Sequence, residues 1–191
     1  MRILVHVCCA HCLEATLAGL KHEFGDKLQA HGYFYNPNIH PLIEFRKRLK
    51  AVKVLNEVLR LPMDYEEAYG LDAFLRTVWA SGAAERCRRC YDERLGATAR
   101  HARAHGFEAF TSTLCVSGHQ HHDEIRAAGE SAAAREGVRF AYRDLRAWPA
   151  RTPRRRGVYA QQYCGCIFSE TERFRTTRKE LYKGPSGPDS A

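Results

Sequence analysis

The chain has 191 residues, enough for one domain with a full hydrophobic core or for one domain with a small addition. Its hydrophobic content of 45% excludes a largely disordered chain, and its apolar runs are too short for a membrane span or a signal peptide. The formal net charge of +8 is typical of proteins that bind a polyanion, although a solvated surface that merely aids solubility would also explain it.

The first third of the chain predicts alternating strands and helices. Arg2–Val7 is short and β-branched, which indicates a buried strand. Apolar residues at helical spacing predict a helix over 13–24. A second strand is expected at Gln29–Tyr35, and a long helix with basic residues on its outer face at Leu42–Leu59.

The same alternation continues to about residue 142. Helices are expected at Leu71–Ala80 and Cys87–His105, followed by a strand at Ala109–Leu114. A further helix at Asp123–Glu136 ends at a glycine and leads into a strand at Val138–Tyr142.

This order of elements predicts an α/β fold, a Rossmann-like parallel sheet with helices on both faces in three layers. Ligands of such folds bind at the carboxyl ends of the strands, so we expect a metal site at that edge of the sheet. One domain is expected over residues 1–183, with a basic C-terminal segment, and a disordered tail over 184–191. Nine Lys and Arg against three Glu between residues 151 and 183 make that segment basic.

Cysteine is the most informative residue type. Seven of the eight cysteines form three clusters, at Cys8, Cys9 and Cys12, at Cys87 and Cys90, and at Cys164 and Cys166. With no sign of export the protein is expected in the cytoplasm, where structural disulfides are rare. The clusters therefore indicate metal binding, redox chemistry or both.

The spacing of the thiols leaves more than one chemistry open. The pairs Cys9/Cys12 and Cys87/Cys90 could build a four-thiolate site for zinc or for an iron–sulfur cluster. The thiols exceed the four that a structural zinc site uses, which favours a redox function. Cys164-Gly165-Cys166 is too short for an ordinary stabilising disulfide, so it is a candidate redox-active dithiol or an open pair of metal ligands.

The remaining candidates have simpler interpretations. Cys115 stands alone at a strand end and is expected to be a small buried hydrophobe. His6 alternates with apolar residues and is interpreted as a satisfied core histidine. His11 could donate a hydrogen bond to the neighbouring thiols, and the histidines of 119–122 are expected to be solvated. Asn36, Asn38 and His40 are typical of a turn.

Four stretches together resemble the QueH-type epoxyqueuosine reductases. They are His6-Val7-Cys8-Cys9-Ala10-His11-Cys12, Phe34-Tyr35-Asn36-Pro37-Asn38-Ile39-His40-Pro41, Cys87-Arg88-Arg89-Cys90-Tyr91 with Arg94-Leu95 and Thr98-Ala99, and Gln162-Tyr163-Cys164-Gly165-Cys166-Ile167-Phe168-Ser169. They occur in the family's order and span the chain to about residue 182.

The resemblance implies a two-electron reductive deoxygenation of epoxyqueuosine to queuosine at the wobble position of tRNA. It implies a [4Fe-4S] cluster held by Cys8, Cys9, Cys87 and Cys90, and a redox-active pair at Cys164 and Cys166. It further implies an additional mononuclear iron, which Cys12 could help to hold, and an external electron donor. The basic stretch at Arg151, Arg154, Arg155 and Arg156 would hold tRNA phosphates.

Two rival functions use the same residues. A zinc-stabilised RNA-binding protein without catalysis would explain the charge and two Cys-x-x-Cys units, but not Cys8 or the Cys164/Cys166 pair. A thiol–disulfide oxidoreductase acting on proteins would need one exposed Cys-x-x-Cys at a helix start. Neither accounts for three separate thiol clusters.

Overall fold

A computed structural model describes residues 1–177 and shows five parallel strands in one sheet. In chain order the strands are β1 Arg2–His6, β2 Gln29–Phe34, β3 Met63–Tyr65, β4 Ala109–Ser112 and β5 Arg139–Phe140. Their spatial order is β3-β2-β1-β4-β5, so β1 is central and pairs with β2 and β4. Because all pairs are parallel, the carboxyl ends of the strands share one edge.

Helices cover both faces of this sheet. Within residues 1–177 they are α1 Ala10–Phe24, α2 Leu42–Leu59, α3 Leu71–Val78, α4 Ala83–Ala104, α5 His122–Glu136, α6 Trp148–Arg151 and α7 Ile167–Phe174. Ile3 and Val5 of β1 pack with residues of α1 and α2, whereas Leu4 packs with residues of α4 and α5. Since neighbouring residues of a strand point to opposite faces, β1 contributes to the core on both sides. The predicted α/β fold with three layers is confirmed.

The predicted boundaries differ from the structure mainly where a side chain redirects the backbone. Helix α1 begins at Ala10 and not at residue 13, because the Cys9 side chain caps it. Strand β4 ends at Ser112, whose hydroxyl accepts a hydrogen bond from the backbone nitrogen of Leu114 and starts a short 3₁₀ helix over Thr113–Val116. The edge strand β3 and the short helices α6 and α7 were not predicted from the sequence.

The predicted tail over 184–191 lies outside the described residues, and the division into domain and tail stays a prediction. Among residues 1–177 no helix combines the length and apolar character that a membrane crossing requires.

Candidate metal centre

The first thiol cluster lies where the chain passes from β1 into α1, at the carboxyl edge of the sheet. Cys9 caps α1, and its sulfur accepts a hydrogen bond of 3.1 Å from the backbone nitrogen of Cys12. Oγ1 of Thr113 lies 3.1 Å from the backbone nitrogen of Cys8 and 3.1 Å from its sulfur. The sulfurs of Cys8, Cys9 and Cys12 lie within 4.8 Å of one another, and a disulfide joins Cys9 to Cys12.

The second cluster lies near the start of α4. Cys87 and Cys90 are three residues apart on the helix, so their side chains share one face. Cys90 is buried among Phe74 and Val78 of α3, and Cys166 packs against the same group. The second and third thiol clusters therefore meet across an apolar contact.

The third cluster lies in a loop over residues 163–166, in which every backbone carbonyl accepts a hydrogen bond. Arg48 donates through Nη2 to the carbonyl of Tyr163 at 2.9 Å and through Nη1 to that of Cys164 at 2.8 Å. The backbone nitrogen of His40 donates to Gly165, and the hydroxyl of Ser169 donates to Cys166, each at 2.8 Å. Gly165 has a φ of +136°, which favours glycine, and a Cβ there would lie 3.2 Å from Nη1 of Arg48.

The arginine that holds this loop is itself buried and paired. Arg48 is 1% exposed, and its Nε donates to Oε1 of Glu44 at 2.6 Å, one turn earlier in α2. The hydroxyl of Tyr159 donates to Oε2 of the same carboxylate at 2.6 Å. With both carboxylate oxygens and all three guanidinium nitrogens hydrogen-bonded, the pair meets the conditions under which buried ions are tolerated.

A second buried arginine lies between the thiol clusters. Arg94, one turn after Cys90 in α4, is 1% exposed, and its Nη1 lies 3.9 Å from the Cys90 sulfur. Its Nη2 donates to Oδ1 of Asn36 at 3.1 Å. Burial acts to lower the pKa of Arg94, but negative charge on Cys90, Cys8 and Cys164, where these thiols ionise, acts more strongly to raise it, so the pKa of Arg94 is raised. The sulfur that this guanidinium contacts is that of Cys90, in the second cluster.

His6 and Asn36 form the polar floor of the site. Nε2 of His6 lies 2.9 Å from the carbonyl of Tyr35, to which it donates, and Nδ1 accepts from the Ser112 hydroxyl at 2.9 Å. Burial, and then the charge of Arg94, hold the pKa of His6 well below its usual value. Nδ2 of Asn36 donates to the carbonyl of Val7 at 2.8 Å. The interpretation of His6 as a satisfied core histidine is confirmed.

With no metal bound, the buried thiols hold their protons. Burial raises the pKa of Cys90 to about 12, against the opposing effect of Arg94. Burial and the neighbouring Cys164 and Cys166 raise the pKa of Cys87 to about 11. Burial also raises the pKa of Cys164, whose sulfur lies 3.4 Å from Nε2 of Gln120. A metal that binds these sulfurs must therefore displace protons.

The predicted site residues lie around the carboxyl edge of the sheet, as expected, but not in one compact group. Within residues 1–177, Cys8, Cys9 and Cys12 form the one set of three or more candidate ligands within 4.8 Å. Cys87 and Cys90 stand outside it. Thiols that bind separate irons of one cluster need more room than ligands of a single ion, so this arrangement does not test the four-cysteine prediction.

The sequence left open whether Cys164 and Cys166, the predicted redox-active pair, form a disulfide. Both residues are free thiols, and the disulfide joins Cys9 to Cys12. The redox role of Cys164 and Cys166 stays a prediction.

The simpler candidates divide into confirmed and corrected interpretations. Cys115 is fully buried in the core beside α4 and α5, as predicted. Nε2 of His11 lies 3.3 Å from the carbonyl of Val158, so its ring hydrogen bond is to backbone and not to a thiol. His122 is not solvated, because its ring nitrogens bond the Tyr142 hydroxyl and the carbonyl of Ser117, each at 3.0 Å.

Sequence reasoning missed the polar residues that hold the thiols in place. Asn36, Asn38 and His40, which the sequence placed in a turn, are 2% exposed or less, and Asn36 bonds Arg94 within the site. Arg48 was counted among the basic outer residues of its helix. Its position four residues after Glu44, in a helix whose positions 45, 49 and 52 are apolar, was the available signal.

The comparisons with known proteins agree on one family. Residues 3–172 match the family described as epoxyqueuosine reductase QueH. The chain belongs to this family. An epoxyqueuosine reductase QueH from Dehalococcoides mccartyi is 40% identical over 176 residues, which cover 91% of this chain and 94% of the relative. An epoxyqueuosine reductase QueH from Thermotoga maritima is 33% identical over 183 residues, which cover 90% of this chain and 91% of the relative.

Membership of the QueH family decides between the predicted functions at the level of class. The expected class, an epoxyqueuosine reductase and hence an oxidoreductase, is confirmed, and it disfavours both rival functions. The cofactor and the roles of individual cysteines are finer questions, which depend on the site itself.

The Arg48–Glu44 pair generates a first prediction. Arg48→Gln leaves a buried carboxylate without its cation and frees two loop carbonyls, so we expect about 3–5 kcal/mol of lost stability in urea unfolding. Iodoacetamide should then alkylate Cys164 and Cys166 faster. The exposed neighbour Arg46 provides the control, because Arg46→Gln should change neither quantity. Unchanged alkylation in Arg48→Gln would show that the loop does not depend on this pair.

The raised thiol pKa values generate a second prediction, for protein prepared without metal. The folded pKa of Cys90, about 12, exceeds its ordinary value of 9.0, so this residue's contribution to stability is complete below pH 9 and is lost between pH 9 and 12. The loss should be about 1.4 kcal/mol per pH unit at most. Cys90→Ala should remove that part of the alkaline decline, measured as the difference between urea unfolding curves at pH 8 and pH 10. Parallel pH profiles for the two proteins would contradict it.

Proposed function

We propose that this chain reduces epoxyqueuosine to queuosine in tRNA, with a [4Fe-4S] cluster held by Cys8, Cys9, Cys87 and Cys90. One observation carries the proposal: in a chain of the QueH family, Cys166 packs against the apolar group that buries Cys90, and the Cys90 sulfur lies 3.9 Å from Nη1 of the buried Arg94. Ligand sites of parallel α/β folds lie at the carboxyl edge of the sheet.

The donor set fits an iron–sulfur cluster. Thiolates are the ligands that such clusters use, and the apolar side chains of Phe74 and Val78 shield Cys90 from water. Cys9 must first leave its disulfide with Cys12, because a disulfide sulfur cannot act as a thiolate ligand. Loading therefore requires reducing conditions, under which Cys12 becomes available beside the cluster to help hold a second iron.

The reaction requires electrons and protons that a single redox group rarely supplies alone. Conversion of an epoxide to an alkene consumes two electrons and two protons and releases the oxygen as water. When bound, the cluster supplies electrons one at a time. A second electron carrier close to it is therefore useful.

We assign that second role to Cys164 and Cys166. Oxidation of the two thiols to a disulfide forms one S–S bond and releases two electrons and two protons, which is the whole requirement of the reaction, so a bound cluster would relay these electrons and add none of its own. An external reductant must then return the disulfide to thiols. The fixed backbone of residues 163–166 holds Cys166 against the apolar group that buries Cys90, and the Cys164 sulfur lies 3.4 Å from Nε2 of Gln120.

The third prediction tests this pair. Cys164→Ser should keep the brown colour of the anaerobically reconstituted protein and lose turnover by about 100-fold or more, because no second thiol can complete the couple. Cys115→Ala, which removes a buried thiol from the core, should retain turnover and colour. Normal turnover by Cys164→Ser would show that the pair carries no electron in the reaction. A colourless wild-type protein that contains zinc would instead contradict the cluster.

The tRNA substrate requires a basic surface close to the thiols. Arg151, Arg154, Arg155 and Arg156 are exposed, and Arg155 pairs with Glu14 in α1, one turn after the helix start that carries the first cluster. This contact supports a tRNA path from the basic stretch toward Cys8 and Cys9. Phosphate neutralisation by arginine is independent of base sequence, so this surface supplies affinity while the site selects the modified base.

The fourth prediction measures that surface. Replacing Arg151, Arg154 and Arg156 with Gln should weaken tRNA binding and should reduce the slope of log K against log salt by about 0.7–0.9 for each phosphate that the variant no longer neutralises. Arg103, exposed at the far end of α4, gives the control, because Arg103→Gln should leave the slope unchanged. An unchanged slope in the triple variant would assign the tRNA surface elsewhere.

A further inference from the structure

The two buried arginines of this protein are balanced in different ways. Arg48 pairs with the carboxylate of Glu44 at 2.6 Å. Arg94 is equally buried, but no ion pair within residues 1–177 joins it to an aspartate or a glutamate. Its contacts are the amide oxygen of Asn36, the ring of His6 at 3.4 Å and the Cys90 sulfur.

These contacts leave the charge of Arg94 without a carboxylate counter-charge among residues 1–177. The amide is neutral, and the imidazole of His6 is satisfied as a neutral ring by Tyr35 and Ser112. A buried ion without a partner is costly, and a fold that retains one needs the ion for something other than stability. The groups that can turn anionic beside it are the thiols.

We infer that Arg94 is the built-in counter-charge of the thiolate site, placed to stabilise the anionic assembly of metal and thiolates that Cys90 helps to form. The inference deepens the proposed function and rests on it, because it assigns a role toward the cluster. Its geometric basis is the Cys90 contact, the helical spacing of four residues that fixes it, and the hydrogen bond to Asn36 that aims the guanidinium inward.

Two consequences distinguish a counter-charge role of Arg94 from a purely structural role. First, reduction of a thiolate-bound cluster adds negative charge, so a nearby cation favours the reduced state and raises the reduction potential. Second, in the metal-free protein the same cation lacks a counter-charge, so a neutral replacement should cost little stability or increase it. A purely structural residue would give the opposite results. Its replacement would destabilise the metal-free protein and would leave the reduction potential of the cluster unchanged.

The experiment uses the full chain, reduced and reconstituted anaerobically, as wild type, Arg94→Gln, Arg94→Lys and Arg100→Gln. Gln removes the charge and keeps an amide N–H, Lys keeps the charge, and Arg100 is the exposed control on the same helix. The reduction potential is read from visible absorbance during a spectroelectrochemical titration. Urea unfolding of the metal-free reduced proteins is the second measurement.

We expect Arg94→Gln to lower the equilibrium constant for one-electron reduction about tenfold, which is about 59 mV. Arg94→Lys should show a smaller decrease, and Arg100→Gln none. The metal-free Arg94→Gln protein should unfold at the same urea concentration as the wild type or at a higher one. An unchanged potential, or a metal-free variant that unfolds at clearly lower urea, would overturn the inference.

A third measurement separates this inference from the proposed function. Cd²⁺ is titrated into the metal-free reduced proteins, and binding is followed by the ultraviolet thiolate-to-cadmium absorbance. Arg94→Gln should weaken Cd²⁺ about tenfold and Arg94→Lys less, whether or not the wild type accepts an iron–sulfur cluster. Equal Cd²⁺ affinities would reject the counter-charge, whereas a wild type that takes up no cluster but shows this loss would reject only the proposed cofactor.

Discussion

The parallel pairing of β1 with both neighbours is the constraint on which the site depends. The register sets His6 opposite Tyr33 of β2 and Ser112 of β4, and its ring bonds the Ser112 hydroxyl and the carbonyl of Tyr35, which directly follows β2. The backbone of Val7 continues the ladder to Tyr33 and accepts from Asn36. A slip of one residue would move His6 to the opposite face of the sheet and would remove the polar floor beneath the thiols.

Beside His6 and Asn36, two buried arginines, Arg48 and Arg94, hold different parts of the site. Arg94 contacts the Cys90 sulfur of the second thiol cluster, whereas Arg48 contacts backbone carbonyls of the third. The division suits their chemistry. A guanidinium paired with a carboxylate contributes geometry with little net charge, and an unpaired one contributes charge. The loop of Cys164 and Cys166 is thus positioned without adding a further cation to the site.

Sequence reasoning could identify the sheet, most helices and every thiol cluster, because each has a local signal. A short apolar stretch with β-branched residues indicated β1, and the spacing of Leu42–Leu59 predicted α2 with the boundaries the structure shows. The polar framework had no such signal. Arg48 hydrogen-bonds to residues that are 115 and 116 positions away in the sequence, and Asn36 and Arg94 are 58 positions apart. Contacts of that range depend on the packed fold, and an arginine among other basic residues in a helix does not reveal which way it faces. The three-residue strand β3 was not predicted because its stability comes from pairing with β2 and not from its own pattern.

The charge of Arg94 is balanced differently in the metal-free and the metal-bound site. Without metal, burial keeps the thiols of Cys87 and Cys90 neutral, so Arg94 is a buried cation without an anion. Binding of a thiophilic metal releases the thiol protons and creates negative charge beside that cation, which removes the imbalance. Metal affinity and fold stability are therefore linked through Arg94. Its buried charge is unfavourable in the metal-free protein and favourable in the metal-bound protein. A site arranged in this way gains more stability from its cofactor than metal–sulfur bonds alone would provide, and it holds the cofactor less tightly as falling pH restores the thiol protons.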